Sequence, residues 1–241
     1  MKIENLPDTW TIAKLEDLLD YIQPTNFIVN STDYDDTYKT PVLTAGKSFI
    51  LGHTNETEGI FNNLPTIIFD DFTTAIKFVT FPFKVKSSAM KILVPTNKII
   101  NLKFVYYFME TLRMNVDTHK RYWISVGSKI EMPFPPIKEQ NRIVEKVEQV
   151  FSELDNILKI LEDLTGVYYY LPSTSGKIGL MRQSILKKAF EGKLVEQDPN
   201  DEPASILLER IITEMEQLLQ AKGKTKSTKK LKNNKIKKAK V

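Results

Sequence analysis

Cysteine is absent from all 241 residues. Disulfides, thiolate metal sites and thiol nucleophiles are therefore excluded. Histidine occurs only at His53 and His119, too few donors for a histidine-rich metal site. With nine glycines in the chain, no glycine-rich cofactor fingerprint is present. No apolar run approaches the ~20 residues of a membrane span. The opening MKIENLPDTW has no signal-peptide core. A cytoplasmic location without a membrane partner is the expectation.

What is present is ordinary for a globular protein: 41% hydrophobic and 27% charged residues. The formal net charge of +4 hides an uneven distribution. Residues 221–241 hold ten lysines and no acid, leaving 24 basic against 30 acidic groups in residues 1–220. The lysine-rich tail has almost nothing to bury and is expected to be disordered. It serves either as a weak phosphate-neutralising arm or as a solubilising tail. Global charge alone does not establish nucleic-acid binding.

Residues 1–136 read as one mixed α/β (α+β) domain. LPDTWTIAKLEDLLDYI predicts a short strand at Trp10–Ile12 and a helix at Leu15–Tyr21. Short runs rich in Val, Ile, Phe and Thr follow: TPVLTAG, SFILG, GIFNN, PTIIFDD, AIKFVTFPFKV and AMKILVP, each bounded by turn residues. NLKFVYYFMETLRMNV predicts a helix with Phe104, Tyr107, Phe108 and Leu112 on one side. HKRYWISVGSKIEMPFPP then closes the domain with a strand and a proline stop. Trp10 and Trp123 are assigned to the core.

From Pro135 the pattern changes to helical, giving a spacer region over residues 137–220. A long helix is predicted over 138–165. Its seam is Ile143, Val147, Val150, Leu154, Ile157, Leu161 and Leu164, with steps of 4, 3, 4, 3, 4 and 3. This repeat of 3.5 residues is the coiled-coil period and calls for a partner helix. At 1.5 Å per residue the rod is about 40 Å long. GVYYYLPSTSGKIG predicts a break, helices follow at about 180–191 and 202–220, and Gly192 suits a C-terminal cap. The partner for the seam is either the chain's own residues 180–220 or a second chain; both are expected to contribute.

Three look-alikes of catalytic motifs fail on chemistry. Gly46-Lys47-Ser48 imitates a phosphate-binding loop, but Pro41 stands where that loop requires glycine, and strand-like FILG follows where a helix should begin. Asp70 and Asp71 imitate the acidic strand of a metal-dependent nuclease, but Lys84 occupies the position of the second carboxylate. The two aspartates are better read as turn or helix caps. Phe134-Pro135-Pro136 lacks the polar residue that a base-methylating site places before its prolines. No enzyme active site is visible.

Three stretches together resemble the DNA-specificity subunit of type I restriction-modification systems. They are the opening LPDTWTIAKLEDLL, the junction ISVGSKIEMPFPPIKEQNRIVEKVEQVFSELD, and the C-terminal LMRQSILKKAFEGKLVEQDPNDEPASILLERI. IIFDDFTTAIKFVTFPFKVKSSAMKIL is similar to one branch of that family's recognition domains. The resemblance implies a target recognition domain followed by a coiled-coil helical spacer. It also implies a non-catalytic role: binding double-stranded DNA and docking modification (methyltransferase) subunits. The family carries two recognition domains and two spacers, whereas this chain has one of each, so it resembles a half-length form. Such a chain would pair as a homodimer, or with another half-subunit, and read a split target. No cofactor is expected on the chain itself. S-adenosylmethionine would belong to the modification subunits, and ATP and Mg to restriction subunits where these are present. A non-catalytic coiled-coil adaptor and a regulatory half-subunit are the alternatives.

Under that resemblance, base readout needs donors and acceptors on loops, with cations on phosphate. Lys47, Ser48, His53 and Asn55 form one polar group, and Thr73, Thr74 and Lys77 a second. Lys120, Arg121 and Tyr122 form a basic-aromatic third, with Arg121 the best single candidate because arginine bridges guanine or phosphate bidentately. Lys84, Lys86 and Lys91 are expected to contact phosphate.

Overall fold

The protein, in a computed structural model, is described over residues 6–44, 48–112, 122–165 and 171–238, with the side chains of 162, 164–165, 171–175 and 222–238 left out. Its first strand, β1 (Thr11–Lys14), pairs antiparallel with its last, β9 (Glu131–Phe134), in the register Thr11↔Phe134 to Lys14↔Glu131. This ladder ties the two ends of the N-terminal domain together. The helix expected at Leu15–Tyr21 is a single turn, α1 (Leu15–Leu18), followed by strand β2 (Leu19–Ile22). Tertiary pairing overrides local propensity here: Leu19–Ile22 lie opposite Ile92–Pro95 on a neighbouring strand.

Among the described residues, six further strands join β2 in two sheets. β3 (Thr40–Leu43), β4 (Ile50–Thr54) and β7 (Lys84–Val85) make a three-stranded sheet in the order β4-β3-β7. β5 (Thr66–Asp70), β6 (Ile76–Val79) and β8 (Met90–Pro95) join β2 in a sheet ordered β2-β8-β5-β6, antiparallel throughout. The predicted run GIFNN contributes only an isolated bridge, Phe61 to Phe83.

β5 explains why TIIFD reads as a continuous apolar run rather than an alternating one. Side chains alternate across a strand. Ile67 and Phe69 enter one hydrophobic cluster, whereas Ile68 enters another with Leu43, Phe61, Phe83 and Val85. A strand covered on both faces needs no polar side.

α2 (Leu102–Thr111) is capped at its start by Asn101, whose Oδ1 accepts from the N–H groups of Lys103 (3.1 Å) and Phe104 (3.0 Å). Phe104, Tyr107 and Phe108 are buried as its pattern predicts. The segment around Tyr122 is a helical turn, α3 (Tyr122–Ser125), and the closing strand comes only at β9. Both tryptophans lie in the core.

The C-terminal half holds three helices: α4 (Ile137–Thr165), α5 (Leu171–Phe190) and α6 (Ala204–Lys238). α5 starts at Leu171, inside the stretch 166–179 expected to be a break. α6 continues past residue 220 through the lysine-rich stretch, where Lys and Ala have high intrinsic helix propensity. Among the described side chains of α6, Ala204, Leu207 and Ile211 are buried.

These helices are not a separate body at their base. One hydrophobic cluster runs across residue 136, joining Trp10, Phe104 and Trp123 to Ile143, Val147, Phe190, Leu207 and Ile211. Gly192 ends α5 at φ +68°, where a Cβ would meet Pro7 Cγ at 2.6 Å. Beside it, Glu139 of α4 is buried between two donors, Trp10 Nε1 (2.9 Å) and Gln197 Nε2 (2.5 Å). Burial pushes its carboxyl up, and the two hydrogen bonds oppose that shift. Arg142 pairs with the buried Asp201 at 2.8 Å, and Ala204 N–H donates to Thr9 O at 2.9 Å.

Phe190 lies fully buried, its ring 5.1 Å from Phe104 and 5.3 Å from Phe108. Phe190→Ala should lower unfolding free energy by about 3–5 kcal/mol. Urea denaturation followed by circular dichroism would measure that loss.

Candidate nucleic-acid interface

Antiparallel pairing brings the C-terminal ends of β2 and β5 and the N-terminal ends of β6 and β8 to one end of the four-stranded sheet. Two loops meet there. The β5–β6 tip runs through Phe72, Thr73 and Thr74, and the segment before β8 is Lys86-Ser87-Ser88-Ala89. The Asp71 N–H donates to Ala89 O at 3.3 Å and joins them. Lys86 follows β7 directly, and its N–H donates to Leu43 O at 2.9 Å. The end of β3 and the residues leading into β4 therefore adjoin the same rim, where Thr44 N–H donates to Phe49 O at 3.0 Å.

Asp70 and Asp71, at the end of β5, build this rim. Asp70 Oδ1 accepts from Phe72 N–H (3.0 Å), Thr73 N–H (2.6 Å) and the Thr73 hydroxyl (2.9 Å). This is the turn-capping role read from the sequence. Asp71 faces the other way: Oδ1 accepts from Trp123 N–H at 2.9 Å, and Oδ2 pairs with Lys91 Nζ at 3.2 Å. The two adjacent carboxylates thus hold the hairpin tip on one side and the start of α3 on the other.

Of the expected contact residues, the structure brings Ser48, Thr73, Thr74 and Lys86 to this rim. Lys77 is exposed on the edge strand β6. His53 and Asn55 lie at the opposite end of β4. Lys47, Lys120 and Arg121 lie outside the described residues.

Three expectations are corrected. Lys91 is 5% exposed and held by Asp71, so its charge is not available to a phosphate. Tyr122 is 8% exposed and stacks on Phe69 with ring centroids 6.3 Å apart, a core contact. Lys84 is 1% exposed; its ammonium sits 2.6 Å from Glu58 O and 2.9 Å from Glu56 Oε2. A buried ammonium requires such partners. Sequence alone cannot separate these lysines from Lys86, because each lies in a strand-rich stretch and only the packing distinguishes them. The reading from sequence also missed Phe72, Ser87 and Ser88; the only available signal was the Asp-Asp pair preceding Phe-Thr-Thr.

Lys84 and Glu56 form a staple of their own. Glu56 also accepts from the N–H groups of Asn30 (2.8 Å) and Ser31 (3.0 Å), joining two loops across the small sheet. The hydrogen bond from Lys84 is the main reason its carboxyl is pushed down from 4.5 to about 2, against desolvation. Among the described residues, no cluster of three or more His, Asp or Glu side chains could hold a metal ion. No described helix is long and apolar enough to cross a membrane.

A family model described as the type I restriction modification DNA specificity domain matches residues 7–165. The chain belongs to that family. Among curated relatives of this specificity-domain chain is the specificity subunit of the Escherichia coli type I restriction enzyme EcoR124I/EcoR124II. It is 45% identical over 158 residues, covering 63% of this chain and 39% of that protein. The E. coli EcoAI specificity subunit is 35% identical over 131 residues, covering 42% of this chain and 22% of its own length. The chain thus matches well under half the length of these relatives. A crystal structure of the HsdS subunit from Thermoanaerobacter tengcongensis aligns with a TM-score of 0.47 at 18% identity, covering 80% of this chain and 48% of that one.

Because the Glu56 carboxyl is depressed on folding, its contribution to stability is complete above 4.5 and is lost as pH falls toward 2. Glu56→Gln should therefore be less stable than the parent at neutral pH. Urea midpoints taken across this range should converge as the solution is acidified; a gap independent of pH would mean the carboxylate charge contributes nothing.

Proposed function

We propose that this chain is the DNA-reading component of a type I restriction-modification complex and performs no catalysis itself. The observation that carries this reading is the rim at the end of the four-stranded sheet. Its exposed residues Ser48, Thr73, Lys86, Ser87 and Ser88 offer hydroxyls and a cation. The stretches 44–49, 72–78 and 86–91 contain no acid. Asp70 and Asp71, next to the rim, are buried and engaged, Asp70 by the Phe72 and Thr73 N–H groups and Asp71 by Trp123 N–H and Lys91. Such a surface suits phosphate and base edges. Family membership and the named relatives support the same reading.

In this proposal α4 is the strut that spaces recognition units, pairing with a second copy or another specificity chain as a coiled coil. Its 29 residues span about 44 Å, comparable with the ~34–36 Å of one DNA turn. The seam supports this in part. Ile143 and Val147 are buried in the chain's own core, and Leu154 is buried where α4 packs on α5. Beyond them Ile157 (50%) and Ile160 (55%) are exposed, with Leu180 and Met181 exposed on α5. Internal pairing thus uses the basal half of the seam and leaves an apolar stretch for another helix. Methyltransferase subunits carrying S-adenosylmethionine, and restriction subunits using ATP and Mg where present, would supply the chemistry.

Two measurements test the reading. The chain should be retained on duplex DNA with an affinity that falls steeply between low and physiological salt; salt-insensitive or absent retention favours a DNA-free adaptor. Light scattering should give a dimer for the parent. Ile157→Lys should give a monomer with an unchanged melting temperature, because that position lies outside the core. A parent that stays monomeric with and without DNA overturns self-pairing.

A further inference from the structure

Phe72 is the one exposed phenylalanine among the described residues, with 57% of its surface open. It is also tightly placed. Its own N–H is held by Asp70 Oδ1 at 3.0 Å, and the next residue makes two more bonds to the same oxygen. Thr74 then adopts φ +57°, a left-handed conformation that is a true outlier for a β-branched side chain. It is kept there by its N–H to Asp70 O at 2.9 Å and its hydroxyl to Thr73 O at 2.7 Å. The tip closes with Asp70 N–H to Ala75 O at 3.0 Å. Strain of this kind persists only where its surroundings over-determine it, and such sites concentrate where a protein must present a group in one position.

We propose that Phe72 is a specificity-determining residue that places its ring against a thymine methyl group in the major groove, with Asp70 as its positioning residue. The inference rests on the DNA-reading proposal above and adds the identity of an apolar reader. A two-stranded ribbon fits the major groove, and only thymine presents a methyl group there. The surroundings favour DNA over a protein partner. Protein docking sites are continuous apolar patches with aromatic anchors, whereas the segments on either side of the Asp71–Ala89 hydrogen bond flank this ring with exposed Thr73, Lys86, Ser87 and Ser88. Those neighbours offer hydroxyls and a cation for the flanking phosphates, and the adjacent carboxylates of Asp70 and Asp71 are buried and hydrogen-bonded. The arrangement also gives the adjacent aspartates separate tasks. Asp70 fixes the tip, and Asp71 fixes the tip's support to Trp123 and Lys91.

The test uses the full chain and a randomised duplex DNA library, with enriched sequences read for the parent, Phe72→Ala, Asp70→Ala and Asp70→Asn. The parent should enrich a defined motif. Phe72→Ala should keep its melting temperature and its salt-dependent retention on duplex DNA. It should lose preference at one or two adjacent positions that carry thymine, with roughly tenfold weaker binding to the parent's motif. Replacing that thymine by uracil, which lacks only the methyl group, should weaken the parent to the same degree and leave Phe72→Ala unaffected. Asp70→Ala should relax the same positions, and Asp70→Asn, which keeps an acceptor oxygen, should restore them. An unchanged motif for Phe72→Ala overturns this inference and makes the ring a protein contact, leaving the broader DNA reading intact. A parent that enriches no sequence overturns both.

Discussion

Everything in the N-terminal domain is referred to strand β5. It is buried on both faces, with Ile67 and Phe69 in the larger cluster and Ile68 in the smaller. Such a strand cannot slip in register, because a one-residue shift would exchange the two sets of side chains. Its pairing with β8 and β6 is therefore fixed. The position of its last residue is fixed with it. That residue is Asp70, followed by Asp71, and the two carboxylates distribute hydrogen bonds to the loops beyond the sheet. A rigid hydrophobic element thus ends in polar anchors that hold a solvent-facing rim in place.

The second constraint is the return of the chain to its beginning. β1 pairs with β9, Glu139 joins Trp10 to Gln197, and Gly192 lets the turn after α5 press against Pro7. These contacts draw the base of α4, the end of α5 and the start of α6 into the domain core. A recognition domain and a helical arm that read as successive segments are in fact welded where they meet. The mechanical consequence is that α4 leaves the domain in a defined direction.

Buried ion pairs in this molecule serve placement more than stability. Lys84–Glu56 and Lys91–Asp71 both lie where loops must be held against a sheet, and both are largely removed from solvent. Such pairs gain little net free energy, because desolvation offsets most of the attraction, but breaking one leaves a buried charge without a partner. They fix loops on the two ends of the domain. One end carries the candidate interface and the other the loops at Asn30 and Glu56.

Period sufficed to identify α2 and α4, and turn-bounded runs of Val, Ile, Phe and Thr sufficed for the strands β3, β5, β6 and β8. The same was true of Gly192 as a helix terminator, the two core tryptophans, and the resemblance carried by the junction and C-terminal stretches. Propensity misjudged Leu19–Ile22, because pairing with β8 outweighs a weak local helix preference. The lysines were the hardest residues to assign. Lys84, Lys86 and Lys91 share one short stretch of chain, yet two are buried in ion pairs and one faces solvent. Charge and chain position are properties of the sequence, whereas burial depends on which strands meet across sequence distances that a local pattern does not encode. The exposed ring of Phe72 belongs to the same class: its residue type reads as core, and only the hairpin held by Asp70 turns it outward.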